Sequence, residues 1–409
     1  MSAIQQHFSV IIVGGGQAGL CVSHYLQQRD ITHLVLEKNT VMHTWREHRW
    51  DSFCLVTPNW QCDLPGHPYS GSDPEGFMVK SQILEYLQAF AEKVAPPVRE
   101  HTVVQKVSRE GERFRVATSA GVFSADHVVV ATGSYQIPII PECAKRLPES
   151  IAQIHVGDYK NPRQLPDGGV LVVGSGQSGA QIAEDLHLTG RQVYLAVGNA
   201  PRCARFYRGK DVVRWLAEMG YYEISVKDHP LREGVRDNTN HYVTGRDGGR
   251  DIDLRKFALE GMELFGPLQD FNGEEFIFQE NLAAMLDHAD DVYNNINSRI
   301  DHYIKQHAID APPASHYEPV WRPPRERRQL PLAGADIRSV IWCVGLKPDY
   351  GWLDVPVFDN RGYPTHHRGV TDEPGVYFIG LPWLHTWGSG RFSGVARDAE
   401  YVADHIVGS

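Results

Sequence analysis

The chain has 409 residues, of which 42% are hydrophobic and 22% charged, and 50 acidic against 40 basic side chains leave a formal charge of −10. This length predicts two to three domains with a large buried core. The acidic balance argues against a general nucleic-acid-binding protein, and no apolar run approaches the roughly 18 residues of a membrane span. Six scattered cysteines favour a reducing compartment, so we expect a cytoplasmic enzyme with neither nucleic-acid nor membrane partners.

A strand–helix–strand pattern opens the chain. Hydrophobic periodicity predicts a buried strand at residues 8–13, an amphipathic helix at 17–29 and a second strand at 34–36. The loop Gly14-Gly15-Gly16-Gln17-Ala18-Gly19 joins the first strand to the helix, and Glu37 closes the second strand. A glycine motif in this setting indicates a dinucleotide-binding fold, the alternative being a glycine turn that serves packing alone.

The same pattern recurs in the middle of the chain. A strand at residues 170–173 leads into Gly174-Ser175-Gly176-Gln177-Ser178-Gly179, followed by a predicted helix and a strand at 192–197. Other predicted elements are a helix at 81–94, strands within 103–116, and buried strands at 127–130, 340–344 and 376–379. The sequence therefore predicts an α/β fold with two Rossmann-like dinucleotide-binding domains of the three-layer ββα type.

Two stretches are expected to carry the chain between the domains. Residues 138–166 are rich in proline, and residues 322–328 form a basic, proline-containing tract. With these crossings the first domain comprises residues 1–163 and 331–409. The second comprises residues 164–330, including a more irregular insertion.

Each glycine of the first loop has a physical role in such a fold. Gly14 permits the tight turn, Gly16 lets the backbone approach a pyrophosphate, and Gly19 allows the helix to pack closely on the strand. The pyrophosphate is then bound by free N–H groups at the positive end of the helix. Glu37 lies about 20 residues further on, where an acid accepts hydrogen bonds from ribose hydroxyls.

The second copy lacks that acid, because its strand ends at Val197-Gly198. The cations that follow closely are Arg202, Arg205, Arg208 and Lys210. An acid would repel a 2′-phosphate and an arginine would pair with it, so this copy is expected to prefer NADPH to NADH. Arg202 is the first choice for the phosphate, and the alternative is that these cations form a solvated surface loop.

Several of these segments resemble those of one family. The two glycine loops, Ala131-Thr132-Gly133 and the stretch Asp372-Glu373-Pro374-Gly375-Val376-Tyr377-Phe378-Ile379-Gly380 resemble the flavin-containing (group B) flavoprotein monooxygenases. Within that family the chain resembles the bacterial and plant YUCCA-like branches. The resemblance spans nearly the whole chain and implies FAD on the first fold and NADPH on the second.

The resemblance also implies which residues bind each cofactor. For FAD they are Gly14, Gly16, Gln17, Ala18, Gly19, Glu37, Lys38, Thr44, Trp45, Arg46, Val56, Thr132 and Gly133. For NADPH they are Gly174, Ser175, Gly176, Gln177, Ser178, Gly179, Arg202 and Arg205. Trp45 and Trp50 are alternatively core aromatics. The C-terminal residues His385, Trp387 and Arg391 either reach the flavin or serve packing.

The chain departs from the family pattern at two places. Glu149 and Ile151 stand where the family has Phe and Gly ahead of a His-x-x-x-Tyr motif. The animal-type enzymes carry an asparagine that helps to hold the oxygenated flavin, and its position here is Leu55, with Asn59 nearby but not equivalent. Asn59, which lies near that position, and His385 of the C-terminal loop are the two candidates for a catalytic side chain.

The predicted function is an NADPH-dependent, FAD-containing monooxygenase that inserts one atom of O2 into a small organic substrate. The resemblance implies a C4a-(hydro)peroxyflavin and N-oxygenation, S-oxygenation or Baeyer–Villiger chemistry. The alternatives are a flavin reductase that passes electrons to another acceptor and a non-catalytic flavin redox sensor. No metal site is expected, a homodimer is possible, and Cys54 and Cys62, with seven residues between them, are not expected to form an exchanging thiol pair.

Overall fold

The computed structural model describes residues 4–408. Its two largest sheets each have parallel central strands. In the first sheet, Ile4–Val13 pairs in parallel with His33–Leu36 on one side and with Gly121–Val130 on the other. Val376–Phe378 adds a further parallel strand beside the end of Gly121–Val130. The remaining strands of this sheet are Val98–Arg99, Val104–Glu110, Arg113–Thr118, Leu353–Asp354, His366–His367 and Val370–Thr371.

The central strand of this sheet is buried on both faces. Val10 and its even-numbered neighbour Ile12 belong to a core formed with helices, whereas Ile11 packs against the antiparallel strands Val104–Glu110 and Arg113–Thr118. The helices of this core are Gln17–Gln28, Lys80–Val94 and Val395–Val407. Helix, parallel sheet and antiparallel sheet thus form the three layers predicted from the sequence.

The second sheet repeats this architecture. Its five parallel strands lie in the order Ala152–His155, Ile337–Trp342, Gly169–Val173, Val193–Ala196 and Glu263–Phe265. Val170 faces the helix Gln177–Leu188, and Leu171 faces a second antiparallel layer. That layer consists of Leu268–Phe271, Glu275–Phe278 and Gln329–Pro331.

The predicted domain boundaries at 163/164 and 330/331 are wrong. Ala152–His155 and Ile337–Trp342 both belong to the second sheet, so the second unit begins earlier and ends later than the proline-rich and basic tracts indicated. The chain crosses instead at Ile137–Pro138 and Leu346–Lys347, which pair with each other in an antiparallel ladder. The basic tract belongs to the second unit, where Arg327 forms an ion pair with Glu263.

The other elements lie outside the two sheets. The helices are His43–Glu47, Val212–Glu218, Leu254–Leu259 and the long Leu282–Gln306. Two short hairpins pair Asp63–Leu64 with His67–Pro68 and Phe206–Tyr207 with Lys210–Asp211. Within residues 4–408, none of the helices has the length and apolar character needed to traverse a bilayer.

Candidate cofactor and active site

The first glycine loop follows the strand Ile4–Val13 and is built for close approach. Gly14 has φ +112°, and a Cβ there would lie 2.7 Å from the carbonyl oxygen of Ala131. A Cβ at Gly19 would lie 2.0 Å from the carbonyl oxygen of Gly14. A Cβ at Gly16 would meet no atom within 4 Å. Gly14 and Gly19 are therefore required by packing, whereas Gly16 opens outward and leaves room for a ligand.

Glu37 is held at the end of the neighbouring strand. Its Oε2 accepts a hydrogen bond from the backbone N–H of Gly15 at 2.7 Å, and its Oε1 accepts one from Asn39 at 2.8 Å. The side chain is buried, so these bonds fix the carboxylate beside the glycine loop. Each carboxylate oxygen retains a further lone pair, which is what a ribose hydroxyl needs.

Two orphaned hydroxyls lie after the strand Gly121–Val130. The side-chain oxygens of Thr132 and Ser134 are buried and have no hydrogen-bond partner among the described residues. Gly133 between them has φ +71°, and Ala131 before them contacts the glycine loop. Since buried polar atoms are normally paired, this segment fits a bound group that supplies the missing partners.

An aromatic wall adjoins the loop. Trp45 donates from Nε1 to Oε1 of Gln17 at 3.0 Å, and its ring centroid lies 5.0 Å from that of Phe392 and 6.3 Å from that of Phe53. Trp45 is thus tied to the first helix turn beside the expected flavin. Trp50, by contrast, is 4% exposed and packs in the core of the second unit, so the alternative of a core aromatic holds for it.

The C-terminal loop closes over the first helix. A Cβ at Gly380 would lie 2.6 Å from Cβ of Ala18, so only glycine allows this approach. Further along, Arg391 lies over the ring of Trp387 at 3.8 Å and donates to Oδ1 of Asn240 at 2.9 Å. The loop therefore reaches from the first glycine loop to the second unit.

The second glycine loop has the same construction. A Cβ at Gly174 would lie 2.6 Å from the carbonyl oxygen of Cys343, and one at Gly179 would lie 1.9 Å from the carbonyl oxygen of Gly174. Near Gly176 the only contact would be the methyl group of Thr239 at 3.8 Å. Gln177 donates from Nε2 to the carbonyl of Val243 at 2.6 Å. This loop also opens outward, and the segment from Thr239 to Val243 forms its edge.

The strand end beside this second loop carries no acid. In the first unit the acid Glu37 reaches back to the loop; here the backbone N–H of Gly198 donates to Oγ of Ser175 at 3.0 Å. Ser178 follows in the first turn of the helix and is half-buried. The missing carboxylate leaves the site open to a nucleotide that carries a 2′-phosphate.

The two arginines predicted to bind that phosphate are engaged elsewhere. Arg202 is 2% exposed, its Nη2 lies 2.8 Å from Oδ1 of Asp290, and its guanidinium lies between the rings of Tyr293 and Tyr317 at 4.5 and 4.0 Å. Arg205 is 1% exposed and lies 2.7 Å from a carboxylate oxygen of Asp211. We therefore correct the assignment: both arginines are surrounded by protein partners, and Arg208 and Lys210 pair with Asp301 and Glu218. The predicted preference for NADPH over NADH keeps only the missing acid in its support.

The two catalytic candidates also have structural partners. Asn59 is 4% exposed, donates to the carbonyl of Asp73 at 2.9 Å and accepts from the N–H of Met78 at 2.7 Å, which fixes the surrounding loop. Burial lowers the pKa of His385, and the charge of Asp398 opposes that effect. His385 therefore lies close to the ion pair between Arg368 and Asp398.

The other residues predicted to bind FAD differ in exposure and in their contacts. Lys38 and Thr44 are exposed, and so is Arg46, which donates to Oγ1 of Thr40 at 2.9 Å. The carbonyl of Val56 accepts from Arg205 at 2.7 Å, a contact between the two units. The assignment of these side chains to FAD stays a prediction.

The two cysteines that lie nearest in sequence are buried. Burial raises the pKa of Cys54 to about 11 and that of Cys62 to about 12. Cys62 packs in the helix-lined core of the first unit, whereas Cys54 lies beside Thr244 of the second. Neutral thiols in different surroundings favour a packing role over thiol–disulfide exchange.

Sequence reasoning missed several residues of this region, namely Ser134, Asn240, Phe392 and Arg49. Arg49 lies over the rings of Trp45 and Phe53, at 4.7 and 5.4 Å from their centroids. The position belongs to no motif, and the only available signal was an arginine four residues after a tryptophan in a short helical segment. Its importance depends on the aromatic residues that surround it in the fold.

Comparisons with known proteins agree with this architecture. The family model of pyridine nucleotide-disulphide oxidoreductases matches residues 11–228. An uncharacterized CzcO-like oxidoreductase from Geobacillus kaustophilus is 32% identical over 410 residues, covering 99% of each chain. Indole-3-pyruvate monooxygenase YUCCA4 from Oryza sativa is 32% identical over 194 residues, which is 43% of this chain and 44% of that protein. A flavin-containing monooxygenase from Stenotrophomonas maltophilia superposes with a TM-score of 0.66 at 20% identity, covering 99% of each chain.

Two outward-facing glycine loops, each on its own three-layer unit, define the class of two-dinucleotide flavoprotein oxidoreductases. The chain belongs to the pyridine nucleotide-disulphide oxidoreductase family and is a flavin-dependent oxidoreductase. Its predicted resemblance to flavin-containing monooxygenases is confirmed. The predicted cofactors, FAD and NADPH, are those of this class.

Proposed function

We propose that this protein is an NADPH-dependent, FAD-containing monooxygenase that inserts one oxygen atom from O2 into a small organic substrate. One chain of contacts carries the proposal. Phe392 packs on Trp45 beside the first glycine loop, and the adjacent Arg391 bonds Asn240. Asn240 follows Thr239, which lies against Gly176 of the second loop. This chain of contacts connects the two glycine loops, and in this proposal it holds the two bound rings close enough for hydride transfer.

In this proposal each unit binds one cofactor with its own residues. The N–H groups at the start of the helix Gln17–Gln28 bind the FAD pyrophosphate, Glu37 binds the ribose, and the hydroxyls of Thr132 and Ser134 find partners on the same cofactor. The second glycine loop binds the nicotinamide nucleotide in the same way. FAD supplies the redox chemistry, since it accepts hydride and, once reduced, reacts with oxygen.

The protein's further contribution is to exclude water from the reacting rings. The aromatic side chains of Trp45, Phe53 and Phe392 form an apolar surface next to the first loop. Trp387, which lies against Arg391, packs on Tyr222 with a ring-centroid distance of 4.5 Å and a tilted geometry. In this proposal, excluding water limits unproductive release of peroxide and favours transfer of oxygen to the substrate.

A second candidate function is a flavin reductase that passes its electrons to another acceptor. The observation that favours it is the state of Asn59, whose amide nitrogen and oxygen are both used in holding its own loop. In the animal-type enzymes an asparagine lies beside the oxygenated flavin. Here Leu55 occupies the equivalent position, and the amide of the nearby Asn59 is already hydrogen-bonded within its own loop.

The experiment that separates the functions follows the bound flavin and the fate of oxygen. Purified holoprotein is mixed with NADPH without oxygen, and loss of the oxidised flavin absorbance establishes hydride transfer. Candidate substrates are then tested under ¹⁸O2, with mass spectrometry of the product and measurement of peroxide. Incorporation of ¹⁸O supports the proposal. Rapid reduction of a quinone or disulfide with no labelled product supports the reductase, and a flavin that NADPH does not reduce supports the sensor.

A further inference from the structure

His241 lies in the middle of the segment that forms the edge of the second glycine loop. Two residues before it, the methyl group of Thr239 would lie 3.8 Å from a Cβ at Gly176. Two residues after it, the carbonyl of Val243 accepts a hydrogen bond from Nε2 of Gln177 at 2.6 Å. His241 is therefore held between two points at which the segment contacts the loop and the first residue of the following helix.

The neighbouring Tyr242 shows to which side the His241 ring is directed. Tyr242 takes part in a parallel β-bridge with Arg202, so the chain is extended at this point. Its side chain is 2% exposed and packs in the core of the second unit. Successive side chains of an extended chain lie on opposite faces. The ring of His241 is therefore directed away from that core, to the side on which Thr239 meets the open face of Gly176.

The imidazole of His241 is unpartnered. Within residues 4–408 it makes no hydrogen bond, ion pair or ring contact, and its two nitrogens are accessible although the residue is half-buried. Two buried histidines of the chain differ in this respect. Nε2 of His33 lies 2.8 Å from Oγ of Ser23, and Nε2 of His155 lies 3.3 Å from the carbonyl oxygen of Gly345. The ring of His241 is therefore available to a ligand at the second loop.

The surroundings of this ring favour an anionic ligand. Burial alone lowers the pKa of His241 to about 4, and no carboxylate among the described residues acts on it. At neutral pH the uncharged imidazole offers one N–H donor and one acceptor nitrogen. No described side chain caps the helix Gln177–Leu188, so its first backbone N–H groups are free and attract negative charge. A ring donor beside a free helix N-terminus suits a phosphate group.

We propose that His241 donates a hydrogen bond to a phosphate group of the bound nicotinamide nucleotide. The inference rests on the proposed function, in which the second glycine loop binds that nucleotide. It supplies a side-chain donor, because the cations expected to bind a phosphate are all engaged in ion pairs: Arg202, Arg205, Arg208 and Lys210. The pyrophosphate and the 2′-phosphate of NADPH share this chemistry, and NAD⁺, which has only the pyrophosphate, distinguishes them.

Calorimetric titration of the FAD-loaded protein with NADP⁺ and with NAD⁺ tests this inference. His241→Ala should weaken NADP⁺ about tenfold, the effect of losing one hydrogen bond to a charged group. The FAD content and the thermal unfolding temperature without nucleotide should stay the same, because the ring has no partner within residues 4–408. An equal loss of NAD⁺ affinity assigns the contact to the pyrophosphate, and a loss confined to NADP⁺ assigns it to the 2′-phosphate. His302→Ala, which removes an exposed histidine of the helix Leu282–Gln306, is the matched control and should change neither affinity.

The pH dependence of binding gives a readout that a merely structural histidine would not change. A bound phosphate raises the pKa of His241 above its value in the free protein, so binding takes up a proton as the pH falls from about 7 to about 5. The ratio of wild-type to His241→Ala affinity should therefore increase over this range. Protonation of the nucleotide itself, which titrates near about pH 6, is common to both proteins and is removed by the comparison.

A glutamine variant keeps the test valid if the alanine variant does not fold. His241→Gln retains an N–H donor but cannot titrate in this range. It should bind NADP⁺ more tightly than His241→Ala at pH 7, and it should lack the increase in affinity at low pH that the wild-type protein shows.

Two results would overturn the assignment. Unchanged affinities for both nucleotides in His241→Ala would show that the ring does not contact the nucleotide. A loss of affinity that does not grow as the pH falls would assign the ring to an uncharged group such as a ribose hydroxyl. A wild-type protein that binds no NADP⁺ would refute both this inference and the proposed function. If the wild-type protein binds NADP⁺ in the predicted way but transfers no oxygen under ¹⁸O2, only the monooxygenase proposal fails.

Discussion

Arg391 donates a hydrogen bond of 2.9 Å to Oδ1 of Asn240, joining the C-terminal loop of the first unit to the edge of the second glycine loop. The neighbouring Thr239 lies against the open side of Gly176. Since the helix Val395–Val407 begins four residues after Arg391, this bond links the last helix of the first unit to the second glycine loop. If the two glycine loops bind the two cofactors as proposed, Asn240 contributes to the relative position of the cofactors.

Replacing Asn240 with alanine should slow reduction of the flavin by NADPH about tenfold or more, because a small displacement of the reacting rings is costly. The FAD content should stay the same, since Asn240 does not adjoin the first loop. Anaerobic stopped-flow measurement of flavin absorbance checks the rate. Asn272→Ala, which alters a turn near Glu275, serves as the control. An unchanged rate in the Asn240 variant would show that the bond does not position the cofactors.

The two outward-facing glycines allow the cofactor sites to be separated. Gly16→Ala should fold normally, because its Cβ would meet no atom within 4 Å, yet the methyl group should displace the pyrophosphate and lower FAD occupancy. Gly176→Ala should also fold normally, since only the methyl of Thr239 would lie near its Cβ, at 3.8 Å. Its methyl group should weaken NADPH binding and leave the FAD content unchanged. Thermal unfolding, flavin absorbance after desalting and NADP⁺ titration provide the three measurements.

Matched variants at the inward-facing glycines make this prediction sharper. Gly19→Ala would bring a Cβ to 2.0 Å from the carbonyl oxygen of Gly14, so it should lower stability as well as FAD binding. Gly179→Ala would bring a Cβ to 1.9 Å from the carbonyl oxygen of Gly174, so it should lower stability as well as NADPH binding. If Gly16→Ala retained full FAD occupancy, the first loop would not be the pyrophosphate site.

Arg202→Ala should destabilise the protein rather than change its choice of nucleotide. Removing the guanidinium leaves the buried carboxylate of Asp290 with one cation fewer and the rings of Tyr293 and Tyr317 without their contact. The loss of one partner from a buried ion pair lowers the free energy of unfolding by about 3 kcal/mol. Urea unfolding measures this change, and titration with NADPH and NADH measures selectivity. A selective loss of NADPH affinity at unchanged stability would restore the phosphate role of Arg202.

The sequence predicted the two glycine loops and their strands well because those signals are local. A continuous apolar strand followed by glycines at fixed spacing commonly forms a strand, a tight turn and a helix. The helices Gln17–Gln28 and Gln177–Leu188 begin directly after the second glycine of each motif. The strand Ala152–His155 was missed because its own sequence alternates weakly and lies in a proline-rich stretch. Its strand character depends on pairing with Ile337–Trp342, far away in the chain.

The side chains of the site were harder to predict for the same reason. Arg202 follows the second fold where a phosphate ligand is expected, but Asp290, which neutralises it, comes from the long helix Leu282–Gln306. Arg49 belongs to no motif, and its contacts with the rings of Trp45 and Phe53 exist only in the folded chain. The sequence shows that an arginine carries a charge, but the carboxylate that pairs with it, such as Asp290, is identified only in the folded chain.

His366 should make the stability of the protein depend on pH. Burial and the charge of Arg236 lower its pKa to about 4, its Nδ1 accepts from the N–H of Gly369 at 3.3 Å, and its buried Nε2 has no partner among the described residues. Between about pH 6.5 and pH 4 the unfolded chain therefore binds a proton that the folded protein does not. Stability should fall as the pH decreases through this window, by up to about 3 kcal/mol from this group.

His366→Asn should remove that contribution, because an amide can accept from Gly369 without titrating. The urea midpoint of the variant should fall less between pH 7 and pH 4.5 than that of the wild-type protein, whereas the exposed neighbour His367→Asn should behave as wild type. Equal slopes for all three proteins would mean that the pKa of His366 is the same in the folded and the unfolded protein, so that its burial does not lower it. The carboxylates that titrate lower are common to the three proteins, so the comparison isolates the histidine.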